Sequence, residues 1–289
     1  MKITVKAYAK INLMLDILST LPNGYHDLFM VMQSVGIYDT VTVSKTDTKA
    51  IKITCDVPSI PLGENNIAYK AATAFFSYTK KENCGIEIDI VKKIPHAAGL
   101  AGGSADAAGV ITALNKLFET NLSEKELIEI GSVVGSDVPF CILGGTMLAQ
   151  YTGTVLSHLP DLSEEYVIIV KPEQSVSTGA AYSAFDSAER VRHLDTREML
   201  AAVCNSDREG YLRNIGNTFE QFIDVPDRVV IKGIMREYNA AASCMSGSGP
   251  SVFGIFNNAF DAQNCIAEMK ERFDSAYLCS FVNKGCEII

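Results

Sequence analysis

The N-terminal segment alternates between apolar and polar side chains more regularly than any other part of the chain. Every odd position over residues 3–17 is apolar, whereas most even positions carry Lys, Thr, Asn or Asp. A period of two is that of a β-strand, since the apolar positions of an amphipathic helix recur every three or four residues. The pattern predicts a half-buried strand, and these fifteen residues are enough to expect a bend or bulge. The chain therefore opens with a strand, and the early strands look like antiparallel hairpins.

Predicted strands and helices interleave along the remaining sequence. In the first half, strands are predicted at 40–44, 51–54 and 85–91, with helices at 66–78, at about 104–117 and after a capping box of Ser123 and Glu126. In the second half, strands are predicted at 166–170, 252–256 and 276–282, with helices at 177–188, at 261–273 and two or three between 197 and 239. The polar stretch 153–165 contains Pro160 and is the candidate boundary. We predict an α+β fold in two domains, 1–158 and 159–289.

Composition excludes several classes of function. With 25 Lys+Arg against 34 Asp+Glu, the formal net charge is −9, so no overall basic field favours nucleic acid or an anionic membrane. No apolar run approaches the ~20 residues that span a bilayer. Lys2, Lys6 and Lys10 interrupt any signal-peptide core, so we expect a cytoplasmic protein.

The cysteines and histidines do not indicate a metal site. The eight cysteines include no C-x-x-C pair, and the four histidines have no nearby His or Cys partner. The cysteines are Cys55, Cys84, Cys141, Cys204, Cys244, Cys265, Cys279 and Cys286. We expect reduced thiols, most of them packed as small hydrophobes.

A glycine-rich segment, here called the first glycine loop, lies between a predicted strand and an Ala-rich helix. It reads Pro95, His96, Ala97, Ala98, Gly99, Leu100, Ala101, Gly102, Gly103, Ser104 and Ala105. Glycines permit close backbone approach, and a helix N-terminus offers unpaired N–H groups with partial positive charge, which together suit a phosphate chain. The loop is neither a Walker A motif nor G-x-G-x-x-G. By spacing alone, a phosphate cradle and a plain turn that lets strand and helix pack closely remain equal alternatives.

A second glycine loop follows in the C-terminal half. It reads Ser246, Gly247, Ser248, Gly249, Pro250 and Ser251. Its N–H groups and hydroxyls form either another anion-binding concavity or a tight hairpin that needs glycine. Two such loops in an acidic chain without metal motifs favour a nucleotide ligand.

Other polar residues have both an ordinary and a functional interpretation. Asp137 lies just before Val138 and Pro139, where an Asp is often only a helix N-cap but is also placed to act as a general base. Lys10 is either a solvated strand lysine or, with Asn12 on the same strand face, part of a polar pair. Tyr25 and His26 follow an Asn-Gly turn, where they either pack together or stack on and hydrogen-bond a base.

The order and separation of these blocks resemble those of the GHMP kinases (galacto-, homoserine, mevalonate and phosphomevalonate kinases) over nearly the whole chain. The blocks lie at 9–13, 23–26, 95–105, 135–140 and 246–251. The resemblance implies an N-terminal domain like domain 2 of ribosomal protein S5 and a ferredoxin-like C-terminal domain. The blocks at 9–13 and 23–26 resemble one branch in particular. Its members transfer a phosphoryl group from ATP, with Mg²⁺, to the 2-hydroxyl of a cytidine-diphosphate-linked methylerythritol, in the non-mevalonate route to isoprenoid precursors.

The resemblance also assigns expected roles to residues. Lys10 and Asp137 match the catalytic pair, the first glycine loop matches the ATP phosphate site, and Mg²⁺ is expected to be carried by ATP near Ser104 and Asp137. Asn66 and Lys92 match positions near the adenine. The expected acceptor-binding residues are Asn12, Tyr25, His26, Tyr182, Ser246, Gly247, Ser248 and Gly249. Tyr25 and Tyr182 would sandwich the cytosine, and His26 would read its edge. We expect a monomer or a weak homodimer.

The sequence departs from the family pattern at two places. His96, Ala97, Ala98 and Ala101 replace several glycines of the family's phosphate loop, and Ala105 replaces its second serine. A G-x-G-E element is replaced by residues 150–154, which removes one possible contact to the acceptor's phosphates.

Two alternatives remain. A homoserine or mevalonate kinase would leave the cytosine-binding residues without a purpose. A catalytically silent nucleotide-binding regulator would be free to lose Lys10 and Asp137, which are both present.

Overall fold

The computed structural model describes residues 1–81 and 85–289, so Cys84 lies outside the described residues. The strands are β1 Lys2–Thr20, β2 His26–Lys45, β3 Ile51–Cys55, β4 Ile86–Val91, β5 Thr146–Tyr151, β6 Val155–His158, β7 Tyr166–Lys171, β8 Gly216–Asn217, β9 Ala240–Met245, β10 Val252–Phe256, β11 Ser275–Ser280 and β12 Cys286–Ile288. The α-helices are α1 Ile67–Thr79, α2 Gly102–Leu117, α3 Glu124–Val134, α4 Val138–Leu143, α5 Thr178–Asp186, α6 Thr196–Cys204, α7 Arg208–Arg213, α8 Pro226–Glu237 and α9 Ala259–Arg272. A 3₁₀ turn covers Thr218–Gln221.

These strands form two sheets, which confirms the α+β prediction. The larger sheet has the order β12-β1-β2-β4-β3, with β5 and β6 extending from β2 and the short β8 parallel to β1. The smaller sheet is antiparallel with the order β11-β7-β10-β9. If the four strands of this sheet are numbered 1 to 4 in chain order, their spatial order is 4-1-3-2. Helices α8 and α9 pack on one face of the sheet, and both features are those of a ferredoxin-like domain.

The first strand confirms the predicted periodicity but is buried more fully than expected. The strand extends beyond the alternating residues 3–17 at both ends. Its register against β2 shifts after Tyr8, Asn12 and Ile17, which confirms the expected bulge or bend. From Ala7 to Ile17 every residue is buried, so the prediction of a half-buried strand is wrong over this stretch. Helix α2 packs against the strand, and β8, the 3₁₀ turn and α6 contact it as well. Lys10 and Asn12 are therefore inside the protein.

The sequence patterns miss several elements around this strand. Only the last part of β2 was predicted, because its first half is buried on both faces and shows no clean alternation. The β5–β6 hairpin was also missed, whereas the short helix α4 begins directly after Asp137, where the sequence allowed a helix N-cap. By contrast, the capping box was correct: Glu126 Oε2 accepts the Ser123 N–H at 2.8 Å, and Ser123 Oγ accepts the Glu126 N–H at 3.4 Å.

Two apolar cores hold the fold together. The larger core joins the first sheet, α1, α2 and one face of the second sheet. The smaller core lies between the other face of the second sheet and helices α8 and α9, and includes Ile231 and Phe256. The boundary at 158/159 stays a prediction: β6 ends in one sheet and β7 begins the other, while β8 and β12 return to the first.

Within the described residues, seven cysteines are free thiols, and Cys141, Cys244 and Cys265 are buried. No group of three His, Cys, Asp or Glu side chains among these residues is arranged to hold a metal ion. None of the helices in the described part of the chain is both long and apolar enough to cross a membrane.

Candidate active site

The first glycine loop carries the chain from β4 into helix α2 along a backbone path that normally favours glycine. Ala97 and Ala101 have φ of 50° and 59°, and Gly99 has φ of 73°. A left-handed conformation costs an L-residue roughly 1–2 kcal/mol. Ala97 and Ala101 therefore adopt, at that cost, the left-handed conformation that glycine adopts freely at these positions of the family pattern.

The N-terminus of α2 is open to an anion. The Ala105 N–H is the first to make a helical hydrogen bond, donating to the carbonyl of Ala101 at 2.8 Å, so the N–H groups of Gly102, Gly103 and Ser104 have no acceptor within the helix. The N-cap makes no side-chain hydrogen bond, and the first turn carries no acidic residue. These groups offer donors and a partial positive charge to a phosphate.

The two glycine loops, almost 150 positions apart in sequence, contact each other. Ser246 Oγ donates to the Gly99 carbonyl at 2.9 Å. A Cβ on Gly99 would overlap the Ser246 carbonyl oxygen and lie 3.1 Å from that of Gly249. Gly99 therefore permits the close approach.

The second glycine loop is also a tight hairpin between β9 and β10, because the Ser246 N–H donates to the Ser251 carbonyl at 2.9 Å. Asn217, buried on β8, donates to the carbonyls of Met245 and Gly247 at 2.8 and 2.7 Å. The sequence patterns missed Asn217, since nothing local separates it from an ordinary loop asparagine. It fixes the path of the loop from a third segment of the chain.

Lys10 and Asp137 approach each other between these loops. Lys10 is only 5% exposed, yet its Nζ lies 4.0 Å from Asp137 Oδ2 and donates to Asn12 Oδ1 at 2.8 Å. Asp137 occupies the N-cap position of α4 but makes no side-chain capping bond. The Lys10 N–H donates to the Leu100 carbonyl at 3.2 Å, which ties β1 directly to the first glycine loop. The Asp137 carboxylate is thus available beside a buried ammonium.

A cavity of about 180 Å³, here called the smaller cavity, lies at this pair. Its polar lining includes three hydroxyls that sequence reasoning missed, those of Ser136, Thr152 and Thr178, and the hydroxyl of Ser248, which was a predicted acceptor-binding residue. Thr178 and Ser248 share a hydrogen bond of 3.0 Å between their hydroxyls. Thr152 lies in the segment that replaces the G-x-G-E element, so this segment still reaches the cavity.

The aromatic candidates lie at the same end of the molecule. His26 stacks on Tyr182 with ring centroids 4.4 Å apart, and its Nε2 lies 2.8 Å from Asp186 Oδ1. Burial raises the pKa of Tyr182 to about 12, so its hydroxyl stays neutral. The side chain of Tyr25 is exposed. The structure thus brings His26 and Tyr182 together and leaves Tyr25 in solvent, while Asp186, four residues after Tyr182 on α5, was not predicted.

The two adenine-site candidates are already engaged in structural bonds. Asn66 caps α1, with Oδ1 accepting the Ala68 N–H at 2.8 Å and Nδ2 donating to the Pro61 carbonyl at 2.6 Å. Lys92 Nζ donates to Asp39 and Asp106. Lys92 and Pro95 also line a cavity of about 630 Å³, here called the larger cavity, with Val57, Ile60 and Tyr277 among the other lining residues. The first glycine loop thus contributes to both cavities.

Comparison with known proteins places this site in a family. The GHMP kinases N terminal domain matches residues 66–145, and the GHMP kinases C terminal domain matches residues 224–275. The 4-diphosphocytidyl-2-C-methyl-D-erythritol kinase of Clostridium acetobutylicum is 40% identical over 276 residues, covering 95% of this chain and 98% of that protein. The enzyme of the same name from Acetivibrio thermocellus is 44% identical over 274 residues, covering 92% and 93%. The chain belongs to the 4-diphosphocytidyl-2-C-methyl-D-erythritol kinase family.

Solved structures agree with this assignment. A crystal structure of a 4-(cytidine 5'-diphospho)-2C-methyl-D-erythritol kinase superposes with a TM-score of 0.81 at 26% identity, covering 96% of this chain and 98% of that one. A homoserine kinase from Cytophaga hutchinsonii has a TM-score of 0.79 at 22% identity, covering 100% and 97%, and shows the shared fold alone. The predicted GHMP kinase fold is confirmed, and this chain is an ATP-dependent kinase of the 4-diphosphocytidyl-2-C-methyl-D-erythritol kinase family.

Proposed function

We propose that this chain transfers the γ-phosphoryl group of ATP to the 2-hydroxyl of 4-diphosphocytidyl-2-C-methyl-D-erythritol, giving the 2-phosphate and ADP on the way to isoprenoid precursors. The observation that carries the proposal is the Lys10–Asp137 pair, which lines the smaller cavity together with residues of both glycine loops. Phosphoryl transfer needs positioning and charge stabilisation more than covalent chemistry, and this arrangement supplies both.

Asp137 is the group proposed to accept the proton of the attacking hydroxyl. Its carboxylate is free of capping bonds and partly open to the cavity, so it is placed to orient that hydroxyl. Lys10 is proposed to stabilise the developing charge, because its ammonium is buried and fixed by Asn12. The backbone bond from Lys10 to Leu100 keeps this charge in register with the first glycine loop.

The first glycine loop is proposed to hold the ATP phosphates over the N-terminus of α2. Mg²⁺ supplies charge neutralisation of those phosphates when it is bound. It usually takes phosphate oxygens, water and one or two carboxylates, so the residues present fit an ion carried by ATP, which Asp137 and Ser104 would help to hold. The adenosine is proposed to occupy the larger cavity, whose lining includes Val57, Ile60 and Pro95.

The cytidine end is proposed to bind at Tyr25, His26 and Tyr182. One face of Tyr182 is covered by His26, so a sandwich with Tyr25 needs the opposite face or a turn of the His26 ring. A single aromatic–base stack is worth roughly 1–3 kcal/mol, enough to select a cytidylated acceptor over a small one. The hydroxyls of Thr178 and Ser248 are proposed to bind the acceptor's diphosphate.

A homoserine or mevalonate kinase is the alternative among enzymes, and the shared fold is consistent with it. The aromatic group beside the smaller cavity argues against it, because those acceptors carry no base. A silent nucleotide-binding regulator is the alternative from another class, and the free Asp137 carboxylate beside Lys10 argues against it. We also propose that the chain acts in the cytoplasm as a monomer or weak homodimer.

The proposal is tested by measuring ADP release with three acceptors in parallel: the cytidylated methylerythritol, homoserine and mevalonate. We expect turnover of the cytidylated acceptor alone, and its loss in Asp137→Ala. Turnover of another acceptor would refute the proposed cytosine site but not the assignment of the chain as a kinase. ATP binding without turnover of any acceptor would favour the regulator.

A further inference from the structure

A buried group of charges, here called the Asp39 cluster, lies beneath the first glycine loop and has no role in the proposed chemistry. It consists of Asp39 on β2, Lys92 just after β4 and Asp106 in the second turn of α2. Lys92 Nζ donates to Asp39 Oδ2 at 2.5 Å and to Asp106 Oδ2 at 2.6 Å. All three side chains are almost fully buried. Burying charge is expensive, so a cluster like this requires a reason other than stability alone.

Asp39 holds the start of the loop. Its Oδ1 accepts the backbone N–H groups of Lys93 at 2.6 Å and Ile94 at 2.8 Å. These are the last two residues before Pro95, which has no N–H. Hydrogen bonds from backbone N–H groups to an ionised carboxylate are shorter and stronger than hydrogen bonds between two neutral groups. Asp39 therefore takes over the backbone donors where β4 has ended, and it sets the direction in which the loop departs.

The same cluster holds the end of the loop. Through Lys92, Asp39 is connected to Asp106 on α2, the helix whose N-terminus completes the loop. A Cβ on Gly102, the first residue of that helix, would lie 3.1 Å from Ile94 Cγ2 and 3.5 Å from Lys92 Nζ. The start of α2 thus rests directly on the residues that Asp39 binds.

We propose that Asp39 is a positioning residue for ATP, which fixes the distance and angle between the two ends of the first glycine loop. It acts through Lys92 and the backbone of Lys93 and Ile94 rather than by contact with ATP. The proposal rests on the proposed role of this loop in binding ATP phosphates. It assigns Lys92 to the same support, which agrees with an ammonium that already donates to the side chains of Asp39 and Asp106.

The test compares two Asp→Asn substitutions within the cluster. In Asp39→Asn, one oxygen that accepts hydrogen bonds becomes an NH₂ donor. In one orientation of the amide this NH₂ faces Lys92 Nζ, and in the other it faces the two backbone N–H groups, so a donor meets a donor in both. In Asp106→Asn the amide oxygen keeps the bond to Lys92, and the NH₂ takes the place of Oδ1, which has no hydrogen-bond partner among the described residues. Asp89→Asn is the matched control, since Asp89 is an exposed carboxylate on β4 bonded to Thr54 Oγ1 at 2.6 Å.

The readout is the Kd of an ATP analogue with a β,γ-methylene bridge, measured with Mg²⁺ by calorimetry well below each variant's melting temperature. We expect Asp39→Asn to weaken binding at least about tenfold, Asp106→Asn by less than about threefold, and Asp89→Asn not at all. In the steady state, KM for ATP should rise in Asp39→Asn while KM for the acceptor does not. If Asp39→Asn does not fold, Asp39→Ser, which presents no NH₂ to Lys92, replaces it with the same expected result.

A Kd for Asp39→Asn within twofold of wild type, even with a lower melting temperature, would show a structural role only and overturn the proposal. Equal weakening by Asp106→Asn would overturn the distinct role of Asp39. If the wild-type chain binds the analogue but phosphorylates no acceptor, the proposed function fails, and the Kd ratio still decides the role of Asp39. A wild-type chain that does not bind the analogue overturns both.

Discussion

Gly99→Ala tests how much the contact between the two glycine loops contributes to stability and to ATP binding. Gly99 has φ of 73°, so an alanine there costs roughly 1–2 kcal/mol of backbone strain. Its Cβ would overlap the Ser246 carbonyl oxygen, so the loops must separate, and the bond from Ser246 Oγ to the Gly99 carbonyl, worth about 1 kcal/mol, is lost. The lower backbone entropy of unfolded alanine offsets ~0.5–1 kcal/mol. We expect a net loss of about 2 kcal/mol in the free energy of unfolding.

Urea denaturation gives this free energy. Steady-state kinetics, through KM for ATP, report whether the first glycine loop still binds the phosphates. We expect KM for ATP to rise, because the phosphate cradle moves away from Lys10. Gly233→Ala is the control, since Gly233 lies within helix α8 and no atom of the described residues lies within 4 Å of its Cβ position; alanine there should stabilise by ~1 kcal/mol. A Gly99→Ala enzyme with wild-type stability and unchanged KM for ATP would refute the packing of the two loops.

Three further predictions concern single side chains. Lys10→Met removes the ammonium 4.0 Å from Asp137 and should lower kcat by ~10²–10³ with little change in KM for ATP; a kcat within threefold of wild type in steady-state assays contradicts it. Asp186→Ala removes the partner of His26 and should raise KM for the cytidylated acceptor but not KM for ATP. Equal changes in the two KM values would argue against a role of Asp186 and His26 in binding the cytosine. Burial, partly offset by Lys92, raises the pKa of Asp106 from 3.8 to about 8, so the folded chain holds a proton that the unfolded chain releases. Stability from this group should be lost as pH rises from ~4 to ~8, and melting temperatures of Asp106→Asn against pH should show a flatter profile over this range, whereas parallel profiles would contradict the shift.

Local physics explains which features were predictable from sequence. The alternation of β1, the Ser123–Glu126 capping box and the two glycine loops depend on neighbours within a few positions. Each could be recognised because backbone period, capping and permitted φ act over that range. The order of the blocks was enough to recognise the family.

The functions suggested for polar residues could not be decided in this way. By pattern alone Lys10 was as easily a solvated lysine, and its burial results from elements distant in sequence that cover β1. Asp137 does stand at an N-cap, as the ordinary interpretation required, but the absence of a capping bond from its side chain is visible only in three dimensions.

Sequence by itself thus determined the α+β class, the glycine loops and the family. Tertiary structure alone decided which polar side chains are buried and which distant residues they contact: Lys10 beside Asp137, His26 bonded to Asp186, and Lys92 bonded to Asp39. The physical reason is that desolvation and pairing depend on segments far apart in the chain, such as His26 and Asp186 at a separation of 160 positions, and no local period records such contacts.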